Sequence, residues 1–333
     1  MSDSGKIPVT VLTGFLGSGK TTLVNHILTA NHGHRIAVIE NEFGEIPIDN
    51  DLVLNADEKI IEMSNGCCLC CTARTDLIEI LRSLLERSDR FDRVLIETSG
   101  LADPNPVAQT FFVDEEIAAH FALDAIVTLV DAKHVRAHLA EVGGDGVAHQ
   151  VVDQIAFADR IVVNKVDLVD GETVREVTAA VRAINATADI LTSRFAAIDL
   201  GAVLGIGAFD LARTMAGDPH WLDEDEHSHD PSLTSVGITL DGDVDPAALE
   251  SWLTAHLAEH GPEVFRLKGV LAVAGDARRF VLQGIHSMFE IRPSAPWPDA
   301  ERPGKVVFIG RDLDRDQLTD GLRSCLALPA AVR

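Results

Sequence analysis

Basic residues are scarce in this sequence: 28 Lys and Arg stand against 52 Asp and Glu in 333 residues, a formal net charge of -24. A surface of that sign repels phosphate backbones and anionic lipid headgroups, so neither nucleic acid nor a membrane is expected as a partner. Long hydrophobic runs are also missing. No uninterrupted apolar stretch approaches the roughly 18 residues that a membrane-spanning helix requires, and the opening residues Met1 to Lys6 are polar rather than signal-like. Cysteines spaced along the chain are lacking too. Four of the five, Cys67, Cys68, Cys70 and Cys71, fall in one short cluster, whereas a disulfide scaffold distributes even numbers of them through a small secreted domain. Such a cluster of thiols works only in a reducing compartment, and a cytoplasmic location is the expectation.

The 46% hydrophobic content is enough for a large core and a smaller appended unit. Over residues 1–215, short β-branched runs alternate with helical patterns, which predicts an α/β fold with a mostly parallel sheet covered by helices. The expected strands are Ile7 to Leu12, Arg35 to Glu40, Lys59 to Met63, Arg93 to Glu97, Ala125 to Val130 and Arg160 to Val163. Leu77, Leu81, Leu84 and Leu85 recur at helical spacing and read as core packing. Residues 216–232 are rich in Asp and Glu and read as a linker; His227 and His229 within it are read as solvated side chains. Residues 233–333 then predict an α+β domain. Its expected elements are a strand through Val236, Ile238 and Leu240, a helix from Pro246 to His260, strands Arg266 to Val273, Phe280 to Phe289 and Lys305 to Ile309, and a helix from Asp314 to Leu326. Cys325, beside Leu322 and Leu326, reads as core rather than ligand.

Residues 14–21, GFLGSGKT, fit the GxxxxGK[ST] phosphate loop, and they follow an apolar strand and precede the helical Leu23, Val24, Ile27 and Leu28. Gly14, Gly17 and Gly19, with Ser18 and Thr22, allow consecutive backbone N–H groups to curl around phosphates. Lys20 reaches the terminal phosphates, and the Thr21 hydroxyl is placed for Mg²⁺. The segment NKVD, with Asn164, Lys165 and Asp167, stands directly after a strand. A carboxylate there can accept from N1–H and the exocyclic amine of guanine, a pair that adenine does not offer, which points to GTP. In ETSG, Glu97 can hold Mg²⁺ directly or through water, and Gly100 can offer its amide to a γ-phosphate. Lys20, Thr21 and Glu97 are the expected catalytic set. ENEFGE, residues 40–45, is a second candidate nucleotide-sensing segment.

NGCCLCC follows the strand ending near Met63. Its thiolates can supply two or three soft ligands to one ion, and Glu40, Glu42, Glu45 or a water can complete a tetrahedral shell for Zn²⁺, with Co²⁺ and Ni²⁺ as alternatives. A redox pair and a closed structural zinc site are the competing readings.

In their order along the chain, GFLGSGKTT, ENEFGE, NGCCLCC, ETSG and NKVD, followed by RLKGVLAV and QGIH in the last hundred residues, resemble the CobW-like P-loop GTPases, relatives of the nickel-insertion GTPases. The resemblance covers nearly the whole chain. It implies a P-loop NTPase domain with a CobW-like C-terminal domain, and a family CxCC motif falling on Cys68, Cys70 and Cys71 with Cys67 as an extra thiol. It further implies a GTPase that hands zinc to a client metalloprotein, with a second copy of the chain, in a homodimer, as a further candidate partner. No arginine finger is evident; Arg74 is the nearest candidate, and a surface ion pair is its favoured reading. A non-catalytic zinc-binding or sensing module with GTP as a structural ligand is the alternative. A small-molecule kinase on the same loop is a third reading, against which the guanine motif and the thiolates argue.

Overall fold

Runs such as Val9–Leu12, Val94–Ile96 and Ile161–Val163 are apolar on both faces of the strand, the pattern of a parallel sheet covered on both sides. In the computed structural model, which describes residues 5–30, 32–40, 60–62, 72–86, 91–140, 147–208, 233–297 and 301–327, these runs form seven parallel strands. They are β1 (Ile7–Gly14), β2 (Ile36–Glu40), β3 (Ile60–Glu62), β4 (Arg93–Glu97), β5 (Phe121–Asp131), β6 (Arg160–Asn164) and β7 (Asp189–Thr192). Their order is β3-β2-β4-β1-β5-β6-β7. β1 lies between β4 and β5, so the chain leaves it toward one side of the sheet and later returns to the other. Ligands bind outside the carboxyl ends of the strands at such a switch point.

Helix α1 (Lys20–Thr29) buries Leu23, Val24, Ile27 and Leu28. They pack with Leu12, Val38, Leu95, Val127 and Leu129 of the sheet. Helix α2 (Thr72–Leu85) buries Leu77, Leu81 and Leu84 of the expected face, while Leu85, at the helix end, is only partly buried. Helices α3 (Asn105–Val113), α4 (Glu115–His120), α5 (Val135–Ala140), α6 (Val147–Phe157) and α7 (Gly171–Ile184) complete this unit. The buried Asp124 accepts hydrogen bonds from Thr10 Oγ1 at 3.2 Å, Ile206 N at 3.2 Å and Gly207 N at 2.8 Å. One carboxylate thus joins β1, β5 and the segment that closes the unit, and it is buried because it is satisfied.

The chain divides into two compact units, Met1–Val181 with Ala188–Phe209, and Arg182–Thr187 with Asp210–Arg333. The second contains an antiparallel sheet of order β11-β10-β9-β12-β8. Its strands are β8 (Leu233–Leu240), β9 (Val264–Ala272), β10 (Arg278–Ile285), β11 (Met288–Pro296) and β12 (Gly304–Arg311). Helices Pro246–His260 and Arg315–Ser324 start at the side-chain caps Asp245 and Asp314. Leu249, Leu253, Leu257, Leu318 and Leu322 of these helices pack on Ile238, Leu267, Leu271 and Phe308, and Cys325 belongs to the same core. The single strand expected over Phe280 to Phe289 is instead a hairpin, β10 pairing with β11 around His286 and Ser287. His286 takes a φ of 50° and its Nδ1 meets the Gly261 carbonyl at 2.8 Å. A tertiary contact, rather than a Gly or Asn signal, makes that turn. Among the described residues no helix is long and apolar enough to cross a membrane.

On the helix Pro246–His260, His256 stacks on Trp252 with centroids 5.1 Å apart and lies 4.7 Å from the His260 ring. Burial, then the neighbouring His260, pulls its imidazole below the ordinary 6.5, against the opposing pull of Glu259 and Glu263. A lowered folded-state pKa means that the unfolded chain binds the proton more readily, so this site's contribution is full above 6.5 and is lost as the pH falls through the folded value. The melting temperature of the wild-type chain is therefore expected to fall below pH 6.5 more steeply than that of His256→Phe, which keeps the ring stack without the titrating group. Parallel pH curves for the two proteins would contradict this.

Candidate functional site

At the carboxyl end of β1 the loop Gly14–Gly19 turns into α1. Gly14 and Gly19 have φ of 138° and 108°, a region that side chains rarely enter. A Cβ on Gly14 would lie 2.3 Å from the Leu129 carbonyl oxygen, and one on Gly19 would lie 2.4 Å from Asn164 Nδ2. The loop is thus seated on β5 and β6 so closely that only glycine fits. Lys20 is buried, and its Nζ donates to Gly14 O at 2.9 Å and Phe15 O at 3.3 Å. The ammonium lies folded over the loop that the sequence assigned to phosphates.

Thr21 Oγ1 and Glu97 Oε1 meet at 3.3 Å, joining the start of α1 to the end of β4. A hydroxyl and a carboxylate side by side are the oxygen donors a hard cation requires, so the Mg²⁺ that accompanies a nucleotide fits this pair. Beyond Glu97 the chain is drawn onto β1, Thr98 N donating to Leu12 O at 2.9 Å. Gly100 then approaches Leu16 so closely that a Cβ would stand 2.7 Å from the Leu16 nitrogen. The ETSG segment and the phosphate loop are in contact.

Asn164, at the end of β6, donates from Nδ2 to Ser18 O at 2.9 Å and accepts at Oδ1 from Ser193 Oγ and Ala196 N, both at 2.9 Å. It ties the phosphate loop to the turn after β7. Lys165 adopts the left-handed conformation with φ 62°. Its Nζ reaches Gly17 O and Asp131 Oδ2, both at 2.6 Å. Asp167 stands exposed on the short turn Val166–Leu168. Asp131 also accepts from His134 Nδ1 at 3.0 Å and Lys133 N at 2.8 Å. Burial raises its carboxyl's pKa, but the hydrogen bonds from His134, Lys165 and Lys133 outweigh that and hold it below the usual carboxylate value. A cavity of about 230 Å³ borders this cluster, lined among others by Phe15, Leu16, Gly17, Asp131, His138 and Gln154. Its lining includes neither Lys20, Thr21 nor Asp167, so it flanks the phosphate loop.

The structure therefore brings Gly14, Gly17, Ser18, Gly19, Lys20, Thr21, Glu97, Gly100, Asn164 and Lys165 to one edge of the sheet, with Thr22 on the first turn of α1. Glu40 ends β2 on the same edge, in register with Glu62 on one side and Glu97 on the other. Glu42, Glu45, Cys67, Cys68, Cys70, Cys71, His227 and His229 lie outside the described residues, as does the side chain of Arg74. Sequence reasoning missed Asp131, Gln154, Ser193 and Ala196. Asp131 follows a β-branched run as Glu97 and Asn164 do, and the same strand-end rule would have found it. Ser193 follows β7, a short strand whose residues are not deeply buried and leave little periodic signal.

Residues 8–192 match the family described as CobW/HypB/UreG, nucleotide-binding domain, and residues 233–326 match the cobalamin synthesis protein cobW C-terminal domain. The chain belongs to the CobW/HypB/UreG family. Within it, this member is 34% identical to the zinc chaperone YjiA of Escherichia coli over 94% of this chain and 96% of that one. It is also 34% identical to the zinc chaperone CobW of Pseudomonas aeruginosa, over 98% of this chain and 93% of the relative. The crystal structure of a Zn(II)-bound YjiA GTPase from E. coli superposes with a TM-score of 0.72 at 30% identity, covering 97% of this chain and 99% of that one. In this CobW-family chain the expected P-loop architecture and the smaller α+β unit are both present.

Proposed function

We propose that this protein is a Mg²⁺-dependent GTPase that carries zinc at its cysteine cluster and delivers it to a client metalloprotein in the cytoplasm. The observation that carries the reading is the register at the sheet edge: Glu40 pairs across the strands with both Glu62 and Glu97. The cysteine-bearing stretch 63–71 begins directly after Glu62 and ends directly before α2. One of its ends is thereby fixed at β3, in the sheet that holds Glu97 against Thr21, and the other at the first residue of α2. Cys68, Cys70 and Cys71, with Glu40 or Glu42 completing the shell, are the proposed zinc ligands, thiolates and carboxylates being donors that zinc accepts. Zinc here is cargo. The proposed domain limits are 1–215 and 233–333, joined by the acidic segment 216–232.

In the proposed cycle the loop amides and Lys20 hold the phosphates, the ammonium exchanging the Gly14 and Phe15 carbonyls for phosphate oxygens. Asn164 and Lys165 keep the guanine side of the site in register, and Asp167 accepts from the base. Thr21 and Glu97 would hold the cation, which when bound would neutralise phosphate charge. Rate acceleration then rests on positioning, and turnover is slow until a client or a second copy adds a cation. Coupling requires that GTP and zinc prefer the same conformation, and that preference is reciprocal.

The test is zinc affinity by competition with a calibrated chelator in reducing buffer containing Mg²⁺ and either GDP or a non-hydrolysable GTP analogue, for wild type and Cys70→Ala. The expected result is a zinc affinity that differs by about tenfold between the two nucleotides, as a coupling energy in the usual range gives, and a Cys70→Ala protein without that difference. Equal affinities in both nucleotides would make the cysteine site structural or sensory.

A further inference from the structure

Gln154 on α6 belongs to no motif, yet its side chain is almost fully buried beside the phosphate loop. Burying a carboxamide is costly unless its polar atoms are bonded. Here Nε2 donates to two carbonyls of one loop, Gly100 O at 3.1 Å and Ala102 O at 3.2 Å. The backbone carbonyl of the same residue accepts from the buried Thr128 Oγ1 of β5 at 2.7 Å. The helix is thus pinned to the sheet at the residue from which it holds the ETSG segment. On its other side that segment abuts the phosphate loop, where Gly100 has no room for a Cβ against the Leu16 backbone nitrogen at 2.7 Å.

We infer that Gln154 is a positioning residue for nucleotide discrimination: it fixes the segment Glu97–Ala102 against the phosphate loop, and through it sets the preference for GTP over GDP. The inference rests on the reading that this segment senses the γ-phosphate. GDP has no γ-phosphate to meet Gly100, so its affinity depends little on how Gly100 to Ala102 are held. A bound γ-phosphate needs the segment in one place, and two hydrogen bonds from one planar amide specify that place more narrowly than packing does.

The experiment measures the affinities of the full-length protein for fluorescent GDP and a fluorescent non-hydrolysable GTP analogue with Mg²⁺, in wild type, Gln154→Leu, Gln154→Glu and Gly100→Ala. Gln154→Leu is expected to bind GDP within about twofold of wild type and the GTP analogue about tenfold more weakly, with a similar loss in single-turnover hydrolysis. Gln154→Glu keeps the side chain's size and guards against a misfolded Leu variant. It should show the same loss near neutral pH and recover part of it on acidification, since a protonated carboxyl regains one donor. Gly100→Ala, which drives a methyl into Leu16, should also lose discrimination. If Gly100→Ala shifts the GTP-to-GDP ratio while both Gln154 variants leave it unchanged, or weaken both nucleotides equally, the role of Gln154 is overturned and the γ-phosphate reading stands. If no variant shifts the ratio, the γ-phosphate reading itself fails.

Discussion

Replacing Lys20 by Ala is expected to lower kcat/KM for GTP by about 10²–10³, the loss that follows when a preorganised donor is removed from developing charge. In this structure the ammonium is not free in solvent. It is buried and held 2.9 Å from Gly14 O and 3.3 Å from Phe15 O. The ammonium is thereby confined to the phosphate loop, where a bound phosphate has only to replace those two carbonyls as its acceptors. The two carbonyls lose a donor in the variant, which makes a folding control necessary. Lys20→Met keeps the stem that α1 packs and should lose the same activity at a melting temperature close to wild type. Steady-state phosphate release checks the rate, and a change below about threefold would remove Lys20 from the catalytic set.

The second large effect is a change of base rather than of rate. Asp167→Asn is expected to weaken GTP by about a hundredfold or more and to strengthen the xanthine nucleotide, because the amide turns one of two acceptors into a donor. Guanine then meets a donor with its own exocyclic amine, whereas xanthine presents a carbonyl at that place. Asp167 is exposed on its turn, and the hydrogen bonds that shape the turn's surroundings are made by Asn164 and Lys165. The fold should therefore be indifferent to the substitution. Competition of GTP and XTP for a fluorescent GDP reports the switch. Unchanged selectivity would place base recognition elsewhere on this edge, with the exposed Phe195 on the neighbouring turn as the next residue to substitute.

The phosphate loop was legible because its chemistry is local: glycines for backbone amides, a lysine and a threonine at fixed spacing, and a strand before and a helix after. The strand ends Glu97 and Asn164 were legible for a related reason, since in a parallel sheet the carboxyl end of each β-branched run falls on one edge. Helix starts at Pro246 and Arg315 agree with the Asp residues that cap them, another interaction spanning only a few residues. The hairpin at His286 was not legible, because its turn is held by Gly261, a residue from another element.

The sequence by itself determined strands β1 to β6 and the phosphate loop, because each depends on residues within a short reach of one another, and the family, because the motifs occur in the family's order; it did not show β7 or the hairpin of β10 and β11. Tertiary structure alone decided which side chains hold those parts together. Asp124 joins three segments, Asp131 restrains Lys165, and Gln154 clamps the loop after Glu97. Asp124 and Gln154 carry no periodicity and no motif, and their value arises only when folding removes water and makes each unpaired polar atom costly. That cost is paid or avoided between residues distant in the chain, where a linear pattern has nothing to show.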